Sequence, residues 1–348
     1  PRPTLGDQPP VVKLAKPKRL PDGRYEIAVE AEGGLPEGAD VRLYHNGHRV
    51  AGSPPYIIKP VPGENRLRAS AYNSDQTVEG EPDRLIFEDQ AERSEQTLHI
   101  FAAAINDYPN RLDFAVPDAK SFVGAFEPGL YDKVNKVTLY DAAADKESIV
   151  KALAGIKCEP QDTLLVFLAG HGTIIDNKFH FIPHGGDGQA ASEALSSVEL
   201  GKLLAQLPAT RQVLFLDTCH AGASAKDLAE LLVEKETPLI ASAQGSALIK
   251  DQKVLARQAG TFLVAGSTPN ATAAEVPELG HGLFTYAVLN GLQGELGKGE
   301  EVTVNELLTY LGERVPELSL KFRGSREGIW QFSAGQDFPI ARPKAGSQ

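Results

Sequence analysis

Two residues in this chain have the types and the spacing for nucleophilic chemistry on a carbonyl group. His171 stands between Gly170 and Gly172, and Cys219 lies 48 positions downstream in the run Asp217-Thr218-Cys219-His220-Ala221-Gly222. A thiol needs a partner that makes and holds the thiolate, usually a nearby imidazole. Each residue follows a near-continuous apolar run, TLLVFLA (163–169) before the histidine and QVLFLD (212–217) before the cysteine. Both are therefore expected in turns just past strand ends. The small residues after Cys219 would expose the sulfur and free backbone N–H groups, which stabilise a tetrahedral oxyanion. Cys219 and Gly172 are the candidate amide donors, and the glycines around His171 would let a substrate backbone come close. A lone cysteine after a strand is usually a small buried hydrophobe, and a lone Gly-His-Gly is usually a turn. Their joint occurrence at the ends of consecutive strands points to catalysis. His220 is not the expected base, because neighbours along extended backbone point apart.

The elements that must position these residues are legible as alternating strands and helices. Near-continuous apolar runs at 98–105, 136–140, 163–169, 212–217 and 261–266 read as strands buried on both faces. Amphipathic stretches at 115–126, 145–156, 196–207, 282–292 and 303–315 read as helices, the third opening on Ser196 with Glu199 three positions on. Such alternation predicts an α/β fold with a mostly parallel sheet flanked by helices on both faces. In such sheets ligands gather beyond the carboxyl ends of the strands, where His171 and Cys219 fall.

Residues 11–88 read differently. Short alternating runs separated by PDG, GGLPEG, GSPP and VPGEN, with a hairpin signal at Asn46-Gly47, predict a small all-β sandwich. The expected division is a β-sandwich module at 1–88, a charged linker at 89–96, the α/β domain at 97–342 and a tail at 343–348. His45 and His48 flank the hairpin turn, and a ligand role is not the favoured reading.

Composition bounds the rest. With 42% hydrophobic and 23% charged residues the chain is an ordinary globular protein. A net charge of −11 argues against a nucleic-acid surface as the main partner. No apolar run approaches the roughly 20 residues of a membrane helix, and the polar, Pro-rich start does not read as a signal peptide. There is no Met, so a fragment or processed product is expected. Two cysteines, Cys158 and Cys219, make no disulfide framework and favour a reducing compartment such as the cytoplasm. No cofactor is expected. His180 and His184 do not share a helix face, because Pro183 lies between them. The acidic residues around Asp176 and Asp187 lack the D-x-D-x-D-G loop, so calcium dependence stays open.

The stretches AAAINDYPN, DAKSF, LLVFLAGHG, LFLDTCHAG, GHGLFTYAVLNGL and QFSAGQDFPIA resemble the caspase/metacaspase superfamily over about residues 97–341. The likeness is greatest to bacterial caspase-like proteins (orthocaspases), with an N-terminal module resembling Ig-like ones. The histidine-to-cysteine separation also agrees with the caspase spacing of about 50. The resemblance implies a caspase-haemoglobinase fold and peptide-bond hydrolysis through an acyl-enzyme, with His171 and Cys219 as the catalytic pair. Ala221 stands where the family's CHSG usually has Ser.

Specificity is expected to be basic. Asp217, two residues before the cysteine, would lie on its side of the strand and favour a cationic side chain before the scissile bond. Metacaspases use an acid at that position, and their second pocket acid matches Asp118, for which a helix N-cap is the alternative. Caspases that select Asp do so through arginines, and no comparable basic cluster surrounds Cys219. Glu275, in a turn-rich stretch suited to a cleft wall, is a third candidate contact, with a solvated loop carboxylate as its alternative. The long connection between 217 and 261 carries Lys250, Lys253 and Arg257, three candidate bonds for self-cleavage. The expected partners are protein or peptide substrates, together with a protein partner for the β-module. The rival reading is a catalytically inert scaffold, which keeping both His171 and Cys219 disfavours.

Overall fold

The structure is a computed structural model that describes residues 9–31, 40–72, 79–90, 95–175, 178–186, 188, 190–220, 262–266, 275–296, 301–326, 328–332 and 337–342. The described residues between 9 and 90 form a β-rich region of short antiparallel pairings, the longest strands being Asp40–His45, Gly63–Tyr72 and Asp83–Asp89. Alternate residues of these strands, among them Leu43, Leu67 and Ala69, point into one core with Val12, Ile27 and Tyr56. The hairpin signal holds: Asn46 and Gly47 both have positive φ, +50° and +88°, as the tight turn requires. His45 is buried with Nε2 2.8 Å from Asn65 Oδ1, and burial lowers its pKa to about 4.

Beyond it lies the α/β domain. Its strands are β1 (Thr97–Ala104), β2 (Lys133–Tyr140), β3 (Thr163–Ile175), β4 (Lys178–Phe181), β5 (Leu195–Ser196), β6 (Arg211–His220) and β7 (Phe262–Ala265). Further short strands are β8 (Glu275–Val276), β9 (His281–Gly282), β10 (Val302–Thr303), β11 (Trp330–Phe332) and β12 (Pro339–Ala341). The described helices are α1 (Ala115–Gly124), α2 (Lys146–Ala154), α3 (Ser197–Gln206), α4 (Leu283–Asn290) and α5 (Val304–Arg323). The main sheet has the order β2-β1-β3-β6-β7-β11, parallel from β2 to β7 and closed by antiparallel β11.

Burial of both sheet faces explains the apolar runs. Odd-numbered residues of β3 and β6, such as Phe167 and Phe215, pack under α1, α4 and α5. Even-numbered ones, such as Leu168 and Leu216, pack under α2 and α3. Phe122 of α1 stacks on Phe167 with centroids 4.6 Å apart and meets Phe215 at 5.0 Å, which pins α1 across β3 and β6. The expected capping box is present, Ser196 and Glu199 bonding reciprocally at the start of α3. The last helix runs farther than expected, through Pro316 to Arg323 before Gly324 ends it at φ +71°. Burial of Leu318 explains why it continues past the proline.

His171 and Cys219 do not lie in the turns past the strand ends that the sequence predicts. β1 stops at Ala104, opposite Ala169, and β4 folds back to pair with Gly172–Ile175, so β3 stays extended through the Gly-His-Gly. β6 likewise stays extended to His220.

After β7 the chain passes close under α4. A Cβ on Gly266 would lie 2.6 Å from both Cβ and Cγ of Phe284, whereas one on Gly124 would meet nothing within 4 Å. Gly266→Ala should therefore destabilise the fold by about 1–3 kcal/mol through overpacking, with Gly124→Ala near neutral. Urea unfolding of both variants tests this, and equal midpoints would refute the crowding.

Candidate active site

The site is built on the register between two strands. β3 and β6 are parallel, and His171 is the Cα partner of Cys219, with Ala169 opposite Asp217 and Gly172 opposite His220. Paired positions share a face of the sheet and alternate positions repeat it. His171, Cys219 and Asp217 thus occupy positions on the face covered by α1 and α4. His220 occupies the opposite face.

The imidazole is held from several sides. His171 is 6% exposed. Its Nε2 lies 2.7 Å from the carbonyl oxygen of Asn110. A carbonyl only accepts, so Nε2 carries the proton and the neutral ring keeps a lone pair on Nδ1. Nδ1 is buried and has no partner among the described residues. The Tyr108 ring lies against the imidazole at 4.5 Å. Its hydroxyl donates to the carbonyl of Ile182 at 2.6 Å and accepts the His171 N–H at 3.2 Å. Gly170 makes room for that hydroxyl: its φ is +153°, and a Cβ there would lie 2.5 Å from Tyr108 Oη. Gly170 is therefore needed for its neighbour's support. Burial lowers the His171 pKa, while the Asn110 carbonyl and the Glu275 charge act in the opposite sense.

The backbone of His171 also orients that of Gly172. His171 donates its N–H to Tyr108 and accepts from Ile182 N–H at 3.0 Å, so its main-chain groups face β4. Along a strand these groups alternate sides, and those of Gly172 face β6.

The loop carrying Tyr108 and Asn110 is closed by bonds from Asn106 within it and from Asp141 beyond β2. Asn106 donates through Nδ2 to the Asp113 carbonyl and accepts the Val116 N–H at Oδ1. Asp141 accepts the N–H groups of Asn106 and Asp107 through Oδ1.

Beside this loop lie three carboxylates. Asp118, 2% exposed, sits one turn before Phe122 on α1. It is not the N-cap, which is Phe114. Its Oδ1 lies 2.5 Å from His281 Nδ1, and its Oδ2 accepts the Gly282 N–H at 2.8 Å. Asp217, also buried, accepts a 2.5 Å bond from the Thr285 hydroxyl of α4. Burial pushes the Asp118 pKa up strongly, and the charges of Asp217 and Glu275 add to the rise. Burial likewise raises Asp217, against the Thr285 bond. Glu275 accepts the N–H groups of Asp113 and Phe114 through Oε1, at 2.8 and 2.9 Å. It thereby ties down the two residues that lead into α1, whose first-turn Val116 N–H is met by Asn106 Oδ1.

Sequence reasoning singled out His171, Cys219, Gly172, Asp118, Asp217 and Glu275, but not Tyr108, Asn110, His281 or Thr285. For His281 a signal existed: Gly280-His281-Gly282 repeats the Gly-His-Gly of 170–172. The carbonyl of Asn110 has no sequence signal. The side chains of Cys219 and His220, the Lys250, Lys253 and Arg257 segment, and Asp176 and Asp187 all lie outside the described residues. Among the described residues no group of three or more His, Cys, Asp or Glu is arranged to hold a metal ion, and no helix is long and apolar enough to cross a membrane. A separate cavity, lined by Glu64, Gln161, Arg211 and Asp337 among others, lies at the amino ends of β3 and β6, away from these residues.

The profile of the caspase domain matches residues 102–336, about two thirds of the chain. The chain belongs to the caspase family. It therefore has the caspase-like fold of a cysteine-peptidase family, preceded by its β-rich region, and that family acts on protein substrates. Among solved structures, that of the Drosophila initiator caspase Dronc is similar at 12% identity and a TM-score of 0.43, over 69% of this chain and 81% of that one. No curated protein matches the sequence.

The buried acids have a consequence for stability. A carboxyl whose pKa rises on folding keeps a proton that the unfolded chain releases, so the unfolded state binds fewer protons. Its contribution is fully present below the ordinary carboxylate pKa of about 4 and falls as pH rises from there, by up to about 1.4 kcal/mol per pH unit. Asp118→Asn should therefore flatten the decline of stability between pH 5 and pH 8. Urea unfolding across that range measures it, and parallel curves for the two proteins would contradict the raised carboxyl.

Proposed function

We propose that this caspase-family domain is an active endopeptidase that uses a His171–Cys219 dyad and cleaves after Arg or Lys. The observation that carries the reading is the direct pairing of His171 with Cys219 across β3 and β6, beside an imidazole whose Nδ1 is buried without a described partner. Nδ1 takes the thiol proton as sulfur attacks the scissile carbonyl. The tetrahedral oxyanion is met by the N–H groups of Cys219 and Gly172, and the direction of the Gly172 backbone toward β6 suits that role. Collapse of the intermediate passes the proton from His171 to the leaving amine and leaves an acyl-enzyme. Water, deprotonated by the same nitrogen, then releases the acid and restores the thiol.

Basic specificity rests on Asp118 and Asp217, buried together near the dyad, with Glu275 adding a third negative charge. Two carboxylates sharing a buried site are costly for each other, and a guanidinium or ammonium offsets that cost through charge-assisted bonds. Selection of Asp would need cationic side chains where this site has anionic ones. Lys250, Lys253 and Arg257 lie in the long connection between β6 and β7 and are the proposed sites of self-cleavage. No cofactor is assigned to this chemistry. The β-rich region is proposed as a docking surface for a protein partner.

Cys219→Ala should abolish cleavage of peptide substrates while leaving the unfolding transition cooperative, and His171→Ala should lose most activity. The same pair of proteins tests self-processing. On incubation, wild type should yield fragments ending at Lys250, Lys253 or Arg257 by mass, and Cys219→Ala should stay whole. Peptide cleavage by Cys219→Ala at the wild-type rate would refute the dyad. A wild-type chain that stays whole while cleaving an added peptide would refute the processing sites.

Asp217→Asn should reduce kcat/KM for Arg and Lys substrates by about 10-fold or more, through loss of a desolvated charge-assisted contact. Preferential cleavage after Asp by the wild type would overturn the specificity.

A further inference from the structure

Asp118 does not meet the pocket alone. One of its oxygens is engaged by an imidazole and the other by the following backbone N–H, both from the short strand β9. His281 is only partly buried, its side chain 24% exposed, so it can exchange protons with solvent. Among the described residues, the other groups facing this contact are anionic or uncharged. β6 brings Asp217 and β8 brings Glu275, while the turn at 277–279 carries the exposed Glu278. α4 brings the Thr285 hydroxyl and Tyr286 but no charged residue. The nearest cation of α1, Lys120, lies over the Tyr140 ring instead.

Burial shifts the two partners in opposite senses, the carboxyl up and the imidazole down. Across a 2.5 Å contact the carboxyl and the imidazole compete for the same proton, so the pair titrates as a unit.

We propose that His281 is a specificity-determining residue: with Asp118 it holds one proton while the pocket is empty, and that proton must leave before a cationic side chain can use the Asp118 carboxylate. This rests on the reading that the Asp118–Asp217 site receives Arg or Lys. The charge balance is simple. With the proton present, Asp118 and His281 together are neutral and the site keeps the charge of Asp217. When a guanidinium or ammonium enters, the proton goes to solvent and Asp118 faces the ligand as an anion beside a neutral imidazole. The proton held by the pair is thus an internal competitor for the substrate's positive charge, and selectivity for Arg rises with pH. Removing the imidazole takes away one of the two proton sites, so the carboxylate becomes available at lower pH.

The test uses the full chain and two peptides that differ only in Arg or citrulline before the scissile bond. Citrulline has nearly the shape of Arg without its charge. The ratio of kcat/KM for the two peptides cancels the titration of His171 and isolates that of the pocket. In the wild type this ratio should climb with pH between 5.5 and 9. In His281→Asn, whose amide can still donate to Asp118 but cannot hold a proton, the climb should begin about one pH unit lower. An unmoved curve would place the proton on the carboxylates alone, and an upward shift would mean that His281 keeps Asp118 ionised. Either result overturns the proposal. A wild type that does not discriminate Arg from citrulline even at pH 9 would instead defeat the basic-specificity reading beneath it. If His281→Asn does not fold, the imidazole can be titrated directly by NMR in Cys219→Ala. Saturating Arg peptide should lower the His281 pKa, and citrulline peptide should not. Equal titration with both peptides would also overturn the proposal.

Discussion

Because β3 and β6 run parallel with His171 opposite Cys219, one backbone register decides whether the site exists. A slip of one residue would move Cys219 to the α2–α3 face and separate it from the imidazole. That register is held by apolar burial far more than by anything at the site. Leu165, Phe167, Val213 and Phe215 fill one face, while Leu164, Val166, Leu214 and Leu216 fill the other. Each face has its own helices to match, so a slip would expose both cores at once. His171 and Cys219 occupy the few paired positions beyond this double lock, where the strands outrun β1 and β4 takes over the pairing.

The same lock places the carboxylates. Phe122 packs on Phe167 and Phe215, and one helical turn earlier on α1 is Asp118, while two residues later on β6 is Asp217. A well-packed aromatic contact thus carries two acids into the same buried volume. Neither would choose it, since burial and mutual repulsion both oppose ionisation. The surroundings give partial relief through the Gly282 N–H, His281 and Thr285. Polar groups buried and only partly satisfied in this way cost stability.

Much of this was legible in the sequence, because the apolar runs and amphipathic stretches have different periods. The five parallel strands of the main sheet lie where expected, although β3 runs six residues farther and the antiparallel edge strand β11 was not expected, and the Ser196–Glu199 box marked the start of α3. The continuation of β3 through Gly170-His171-Gly172 was not legible. Glycines read as a turn, and the partner that keeps them extended, β4, is set by tertiary pairing. The supports of His171 were hidden for a related reason. Asn110 acts through its carbonyl, which every residue possesses, and Tyr108 acts through a hydroxyl that reaches its partners only once β3 and the preceding loop are adjacent. Gly170 was noticed for substrate approach, yet the group that leaves no room for a side chain there is the Tyr108 hydroxyl. Glu275 looked like a loop carboxylate, and its bond to the start of α1 spans 162 positions of sequence, beyond any local pattern.

One segment, from the end of β1 to the end of α1, serves both halves of the site. Its loop supplies Tyr108 and the Asn110 carbonyl to His171, and its helix supplies Asp118 to the acidic pocket. The segment is tied at three points: Asp141 at its start, Asn106 across its loop and Glu275 at the head of the helix. Packing of Phe122 on the sheet then fixes the helix itself. A rigid body held in this way cannot shift Asp118 without straining the bond that fixes the Nε2–H tautomer of His171. Glu275 adds an electrostatic link, since its charge raises both the imidazole pKa and that of Asp118. The acidic pocket and the His171 imidazole are therefore joined through one piece of backbone and one carboxylate. A change at either is expected to be felt at the other even though no side chain in the acidic pocket touches the imidazole among the described contacts.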